Sequence, residues 1–167
     1  MRYEWDFDGD VSVGFEPSSR FFLLPEEASE TASGSLFYHF FCGDFSLRFN
    51  KTTFVTDWGW VPALDLPIRI LFALAQLDRN TSSSFKFSEG EAAMTIARIS
   101  ESDDLVTIGV SYSTEVAQAA VSELRQAFRT LVVHLVGEMA ILAPGLEHNN
   151  ELLVQCERIG LRLAVPE

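Results

Sequence analysis

Hydrophobic and polar positions change period along this chain, and each change marks an element. Near the start Tyr3, Trp5 and Phe7 alternate with Glu4, Asp6 and Asp8. Period two with aromatics on one side predicts a strand with one wet face. Gly9-Asp10 marks a turn, and residues 11–15 read as the returning strand. A short apolar run at 21–24 precedes Pro25, and 26–34 is polar, small and the most loop-like stretch. Residues 36–41 and 45–49 predict a hairpin joined at Cys42-Gly43-Asp44. Its second arm turns Phe45, Leu47 and Phe49 inward and Ser46, Arg48 and Asn50 outward, while the first is apolar on both sides except at His39. Residues 52–56 read as a further short strand.

After Asp57-Trp58-Gly59-Trp60 comes a helix pattern over 65–77, apolar almost all round. Asp65, Arg69, Gln76 and Arg79 form its narrow polar stripe, an i,i+4 pair and its neighbours at a semi-buried or solvated seam. Such a helix must be covered on nearly every side. Asp65 is the expected N-cap, which puts Pro67 in the first turn, where its missing N–H costs nothing. Residues 80–84 read as a loop, Phe85 and Phe87 flank Lys86 in a short strand, and 92–99 and 105–112 are strands around a turn at 100–104. Val106, Ile108, Val110 and Tyr112 form the inward set. Ser113 or Thr114 is expected to cap a long helix with Glu115 in its first turn. Its stripe runs Ala117, Ala120/Val121, Leu124, Phe128, Leu131/Val132, Leu135, Met139 and Leu142, and Pro144-Gly145 stops it. A last helix over 150–161 presents Leu152, Leu153, Cys156 and Ile159.

The order is strands, helix, strands, helix, helix, with mostly short turns. It predicts an α+β fold: a mostly antiparallel sheet with the apolar helix buried centrally, and the long amphipathic and short C-terminal helices packed on one face. The sequence shows no internal repeat, and 167 residues suit one domain, with 1–34 as acidic strands and loop and 35–163 as the core.

Charge sharpens the picture. The formal net charge is -12 and the pI near 4.6. No Lys/Arg cluster is present to bind phosphate, which argues against nucleic acid and against an anionic membrane surface. Residues 1–34 hold eight carboxylates against two arginines, half of that net charge. The first residues have neither a basic nor an apolar signal region, and charges interrupt both long apolar stretches, so a cytoplasmic protein is expected. Cys42 and Cys156 lie far apart without CxxC spacing and read as buried thiols.

Candidate chemistry is sparse. His39, His134 and His148 make no metal-ligand pattern, neither cysteine has a partnered base, and no phosphate-binding glycine loop occurs, so no cofactor or metal is expected. Asp57, Asp65, Glu89 and Glu91 are the carboxylates that a small acid/base enzyme would need to bring together. The aromatic and acidic mixture at Asp57-Trp58-Gly59-Trp60 fits binding better, because Trp is enriched at interface hot spots and carboxylates suit a basic partner. Trp60 is expected to cap the core, and Trp58 is open to either role.

A block from about Gly34 to Asn150 resembles immunity proteins of bacterial polymorphic toxin systems. Its pieces are Phe45-Ser46-Leu47-Arg48-Phe49, Asp57-Trp58-Gly59-Trp60-Val61-Pro62-Ala63-Leu64-Asp65, Phe85-Lys86-Phe87-Ser88-Glu89, and the long helix ending before Pro144-Gly145-Leu146-Glu147-His148-Asn149. The resemblance implies a non-catalytic, single-domain partner that neutralises a cognate toxin, and the acidity points to a basic toxin surface. The expected contacts are Asp57, Trp58, Glu89, Glu91, Glu101, Asp103 and Asp104, with Asp6, Asp8 and Asp10 from the acidic start. A scaffold module or a homodimer through Trp58 is the alternative.

Overall fold

A computed structural model describes residues 2–7, 10–18, 41–87, 90–100 and 104–163. The expected apolar run at 21–24, the loop at 26–34 and His39 lie outside the described residues, as does the first hairpin arm up to residue 40. Five strands come first: β1 (Tyr3–Asp6), β2 (Val11–Pro17), β3 (Cys42–Phe49), β4 (Thr52–Val55) and β5 (Val61–Pro62). Helix α1 (Asp65–Gln76) follows, then β6 (Ser82–Lys86), β7 (Ala93–Arg98), β8 (Leu105–Val110) and β9 (Val116–Ala120). The long helix α2 (Val121–Leu142), a 3-10 turn at Leu146–His148 and α3 (Asn150–Arg158) complete the chain.

The class is α+β and every strand pair is antiparallel, but the strands divide between two sheets rather than one. The first has the order β1-β2-β3-β4, with β5 also on β3; the second runs β6-β7-β8-β9. Each sheet is a chain of neighbours followed by a helix, a repeated layout that residue identities do not betray. One core joins them: Val13, Phe15, Phe45 and Leu47 from the first sheet, Met94, Ile96, Val106 and Ile108 from the second, and the buried sides of α1 and α2. Phe49 meets Phe128 of α2 with ring centroids 6.4 Å apart.

Alternation accounts for β1, β3, β7 and β8 as expected, and Phe45, Leu47 and Phe49 are buried while Arg48 is exposed. Four local expectations fail for identifiable reasons. Cys42-Gly43-Asp44 is not a turn; it belongs to β3, where Gly43 pairs with Pro17 on one side and Val61 on the other. A Cβ on Gly43 would fall 2.1 Å from the Glu16 carbonyl oxygen, so glycine is there for close backbone approach. Residues 82–84 are strand, not loop: Ser83 faces inward and its hydroxyl donates to Gln76 Oε1 at 2.7 Å.

Asp65 does not cap α1. Leu64 occupies the N-cap without a side-chain bond, and the mostly buried Asp65 carboxylate accepts from Arg69 Nε at 2.6 Å. The fourth failure is the start of the long helix. Val116–Ala120 is strand β9, exposed and buried in alternation, because β8 needs a partner and Ala117 and Ala119 can face the core. Helix α2 therefore starts at Val121, and Ala120 at its N-cap offers no side chain.

Asp104 supplies what Ala120 lacks. Its carbonyl accepts from Val121 N at 2.7 Å, and its carboxylate accepts from Ser122 N at 3.2 Å and from the Ser122 hydroxyl. A residue before β8 thus caps the helix after β9, and its negative charge sits at the favourable end of the helix dipole. The other end of α1 is closed in the complementary way, with Arg125 Nη2 donating to the Leu74 carbonyl at 2.9 Å and Arg98 Nε to that of Leu77 at 3.2 Å. Gly145 (φ 91°) ends the α2 segment, and Asn149 caps α3 by accepting from Leu152 N at 3.1 Å. Both cysteines are buried and not in a disulfide; burial pushes the Cys156 thiol up to about 11, which keeps it unreactive near neutrality.

Two stability effects follow. Asp104→Ala should cost about 1 kcal/mol, the usual worth of an N-cap, and Asp104→Asn less, read from urea-unfolding midpoints. Gly43→Ala should cost about 3 kcal/mol or more, because the Cβ meets backbone rather than a side chain able to move; an unchanged midpoint would contradict the packing of β3 between β2 and β5.

Candidate interaction site at the aromatic junction

Between β4 and β5 the chain turns through residues 56–60, and the sequence fixes this turn at two points. Phe45 N donates to Thr56 Oγ1 at 2.7 Å while Thr56 N donates to the Phe45 carbonyl at 2.8 Å, a reciprocal clamp on a buried threonine. Three residues on, Gly59 adopts φ 72°, which glycine tolerates without a Cβ penalty, and its N–H donates to Asp44 Oδ1 at 2.7 Å. The tryptophans on either side are therefore held by backbone and not only by contact.

Trp58 is half-buried and packs on the core. It stacks on Trp60 with centroids 5.3 Å apart, and stands edge-on to Phe87 at 5.4 Å and to Tyr112 at 5.2 Å. Phe85 and Phe87, 6.1 Å apart, carry the cluster onto β6. Such edge-to-face and offset pairs add to the area they bury. Trp58 thus takes the core-capping place expected of Trp60. The ring of Trp60 reaches so close to Gly90 that a Cβ there would lie 3.2 Å from Cη2.

The rim is charged. Asp57 is exposed beside the cluster; Glu91, also exposed, bonds Lys86 Nζ at 2.9 Å. The hydrogen bond from Lys86, then its positive charge, lowers the Glu91 carboxyl below its ordinary range. Tyr112 was expected to face the core at the end of a strand. It lies beyond the end of β8 instead, 38% exposed, between Ser111 and Ser113. Burial, and then the Asp57 charge, push its hydroxyl up to about 12. π-faces beside carboxylates suit a cationic or amphipathic group, by cation–π attraction and charge pairing.

The expected contact residues do not converge on this site. Asp57, Trp58 and Glu91 do. Asp6, exposed on β1 with Oδ1 3.6 Å from Arg48, and Asp10, whose carbonyl accepts from Asn50 N at 2.6 Å, sit at the Phe49 end of the first sheet. Asp44 and Gly59 lie at the other end of β3, roughly 20 Å away at the rise of a strand. Asp104 stands at the start of β8 and Tyr112 past its finish, so the helix-capping carboxylate is also remote from the aromatics. Asp8, Glu89, Glu101 and Asp103 lie outside the described residues. Asp65 is bound to Arg69 within α1, and among the described residues no group of three or more His, Cys, Asp or Glu is placed to hold a metal. The residues missed from sequence are Phe87 and Tyr112; their signal was the aromatic just past each strand, flanked by polar neighbours.

No family model, curated protein or solved structure matches the chain. Geometry and charge carry the functional reading from here.

The raised Tyr112 pKa has a direction in pH. The folded state keeps a proton that the unfolded chain releases above about 10, so this contribution to stability is complete below about 10 and is lost as pH rises through about 12. In a phenolate-absorbance titration, the difference between the wild type and Tyr112→Phe should show a late-ionising group, and Asp57→Asn should move it down. A Tyr112 ionising near 10 would contradict its burial in the cluster, and an unmoved ionisation in Asp57→Asn would remove the influence of the Asp57 charge.

Proposed function

We propose that this protein is a non-catalytic immunity protein that binds a toxin with a basic surface and blocks it by occupying that surface. The observation that carries the reading is the aromatic junction: a tryptophan fixed by backbone bonds, half-exposed, with Asp57 and Glu91 on its rim, in a chain of net charge -12. A rigid aromatic anchor surrounded by charges opposite to those of the partner is how compact interfaces gain both residence time and rate of encounter. The resemblance of the 34–150 block to immunity proteins of polymorphic toxin systems points the same way. Asp57, Trp58 and Glu91 are the direct contacts in this reading. Asp6, Asp10 and Asp104 act through the long-range field that draws a basic partner in. A nuclease groove is the kind of surface that such a field attracts, and the cytoplasm is where it would need blocking.

The reading predicts a toxin domain encoded beside this gene, and that domain is its test. Mixed with the purified protein it should form a one-to-one complex, and co-production should restore growth of cells making the toxin. Calorimetry should show affinity falling at least about tenfold between low and high salt, chiefly through slower association. Trp58→Ala should weaken the complex by about 2 kcal/mol while changing its salt dependence little. Growth that stays arrested despite abundant folded protein would refute the reading.

A further inference from the structure

Strand β1 ends the first sheet, and among the described residues no strand pairs with it on its far side. The register states which of its peptide groups are spare. Phe7 N donates to the Val11 carbonyl at 3.1 Å and continues the pairing Asp6↔Ser12, Trp5↔Val13, Glu4↔Gly14. In an antiparallel ladder, hydrogen-bonded and non-bonded pairs alternate. With Phe7 and Val11 bonded, Trp5 and Tyr3 are the residues that bond β2, and the peptide groups of Glu4 and Asp6 point away from the sheet. The β2–β3 ladder agrees: Asn50 N donates to the Asp10 carbonyl and Ser18 N to that of Cys42, so the even residues of β2 face β3 and its odd residues face β1.

Beside this edge lies a groove of about 420 Å³, with Trp5 and Phe7 on one wall and Gln126, Ala127, Thr130 and His134 of α2 on the other. Glu4 and Asp6 line its mouth. Their carboxylates meet Arg2 at 3.0 Å and Arg48 at 3.6 Å, but all four side chains are more than half exposed, so these pairs are held weakly and each carboxylate keeps an oxygen for a second donor. Glu138 adds negative charge near the same place, since its carboxylate, after burial, raises the Tyr3 hydroxyl.

We infer that β1 is a β-augmentation site: a basic, extended segment of a partner adds as a strand against Glu4 and Asp6. Its main chain bonds their outward peptide groups, as in other strand-addition complexes. On the wet face its lysine or arginine side chains meet the Glu4 and Asp6 carboxylates. Its intervening small apolar side chains enter the groove toward Ala127 and Thr130. Edge strands are normally guarded by lysine, proline or a bulge. This one carries acids instead, which repel acidic strands, including those of a second copy, and admit basic ones. The site lies along the free lateral edge of the first sheet, with β2 between it and β3, whose Asp44 holds the aromatic junction, and it would serve whether or not the partner is a toxin.

The probe is a short acetylated peptide alternating lysine and valine, titrated into the full chain by NMR. At saturation the Glu4 and Asp6 amides should exchange with solvent at least about tenfold more slowly, while the Trp5 amide, already bonded to β2, changes little. Asp6→Pro removes an outward N–H and no β1–β2 bond, so it should fold and weaken peptide binding by about tenfold beyond Asp6→Ala. A second measurement needs no variant: methylating the peptide nitrogens on the pairing side should abolish binding, and methylating the opposite side should not. Equal binding by both methylated peptides, or unaltered Glu4 and Asp6 exchange at millimolar peptide, would overturn the inference, as would equal binding by a glutamate–valine peptide.

Discussion

A helix with almost no polar side can persist in water only if other elements enclose it. Asp65–Gln76 is such a helix, with Leu66, Ile68, Ile70, Leu71, Ala73 and Leu74 buried along its length. Neither sheet alone would cover it. Helix α2 lies against it, β6 flanks it, and β5 delivers the chain to its start. Even its polar groups are recruited to the enclosure: Asp65 is neutralised by Arg69 within the helix, and the carbonyls at its far end are taken by Arg98 from β7 and Arg125 from α2. A cation at a helix C-terminus is favourable by itself, and here each also ties a separate element to the same helix. The need to cover this helix draws both sheets and both long helices into one core.

The arrangement explains what sequence could and could not reveal. Where burial is decided by a residue's own side of a strand, as in Phe45-Ser46-Leu47-Arg48-Phe49, alternation reads directly. Where a distant partner decides, it does not. Val116-Ala117-Gln118-Ala119-Ala120 has good helix formers and sits before an unmistakable helix, yet pairing with β8 makes it a strand, an instance of tertiary context overriding propensity. Gly43 looks like a turn because glycine usually is one, and only the backbone of Glu16 pressing on it says otherwise. The cap of α2 was illegible for the same reason, since it comes from Asp104, 18 residues away from the Ser122 it binds. The aromatic junction was half legible. Trp58 stood out as a residue type with polar neighbours, but its assembly with Phe87 and Tyr112 depends on two sheets meeting.

The carboxylates show the same division between local and global roles. Asp65 and Asp104 are bound to fold-making partners, one to the first turn of α1 and the other to the start of α2. Asp44 holds Gly59 and so the tryptophan turn. Asp57 and Glu91 remain at the rim of the aromatics, and Glu4 and Asp6 at the open strand. A charge count alone treats all of these as one acidic surface. Geometry separates the carboxylates that build the fold from those still able to meet a partner.

That separation limits what net charge can do in recognition. A field of -12 speeds the approach of a basic molecule from any direction, and salt weakens it, but it does not choose an orientation. Orientation needs groups that are fixed and chemically unlike their surroundings. The aromatic junction is fixed by the Thr56 clamp and the Asp44–Gly59 bond, and the open edge by its ladder to β2. They stand at separate places on the first sheet, the edge along β1 and the junction at the Asp44 end of β3, with β2 between the two strands. A partner large enough to touch both would be placed by both, whereas a short basic peptide would meet only the edge. Charge complementarity alone sets no such requirement of reach, whereas two fixed groups at separate places on one sheet do.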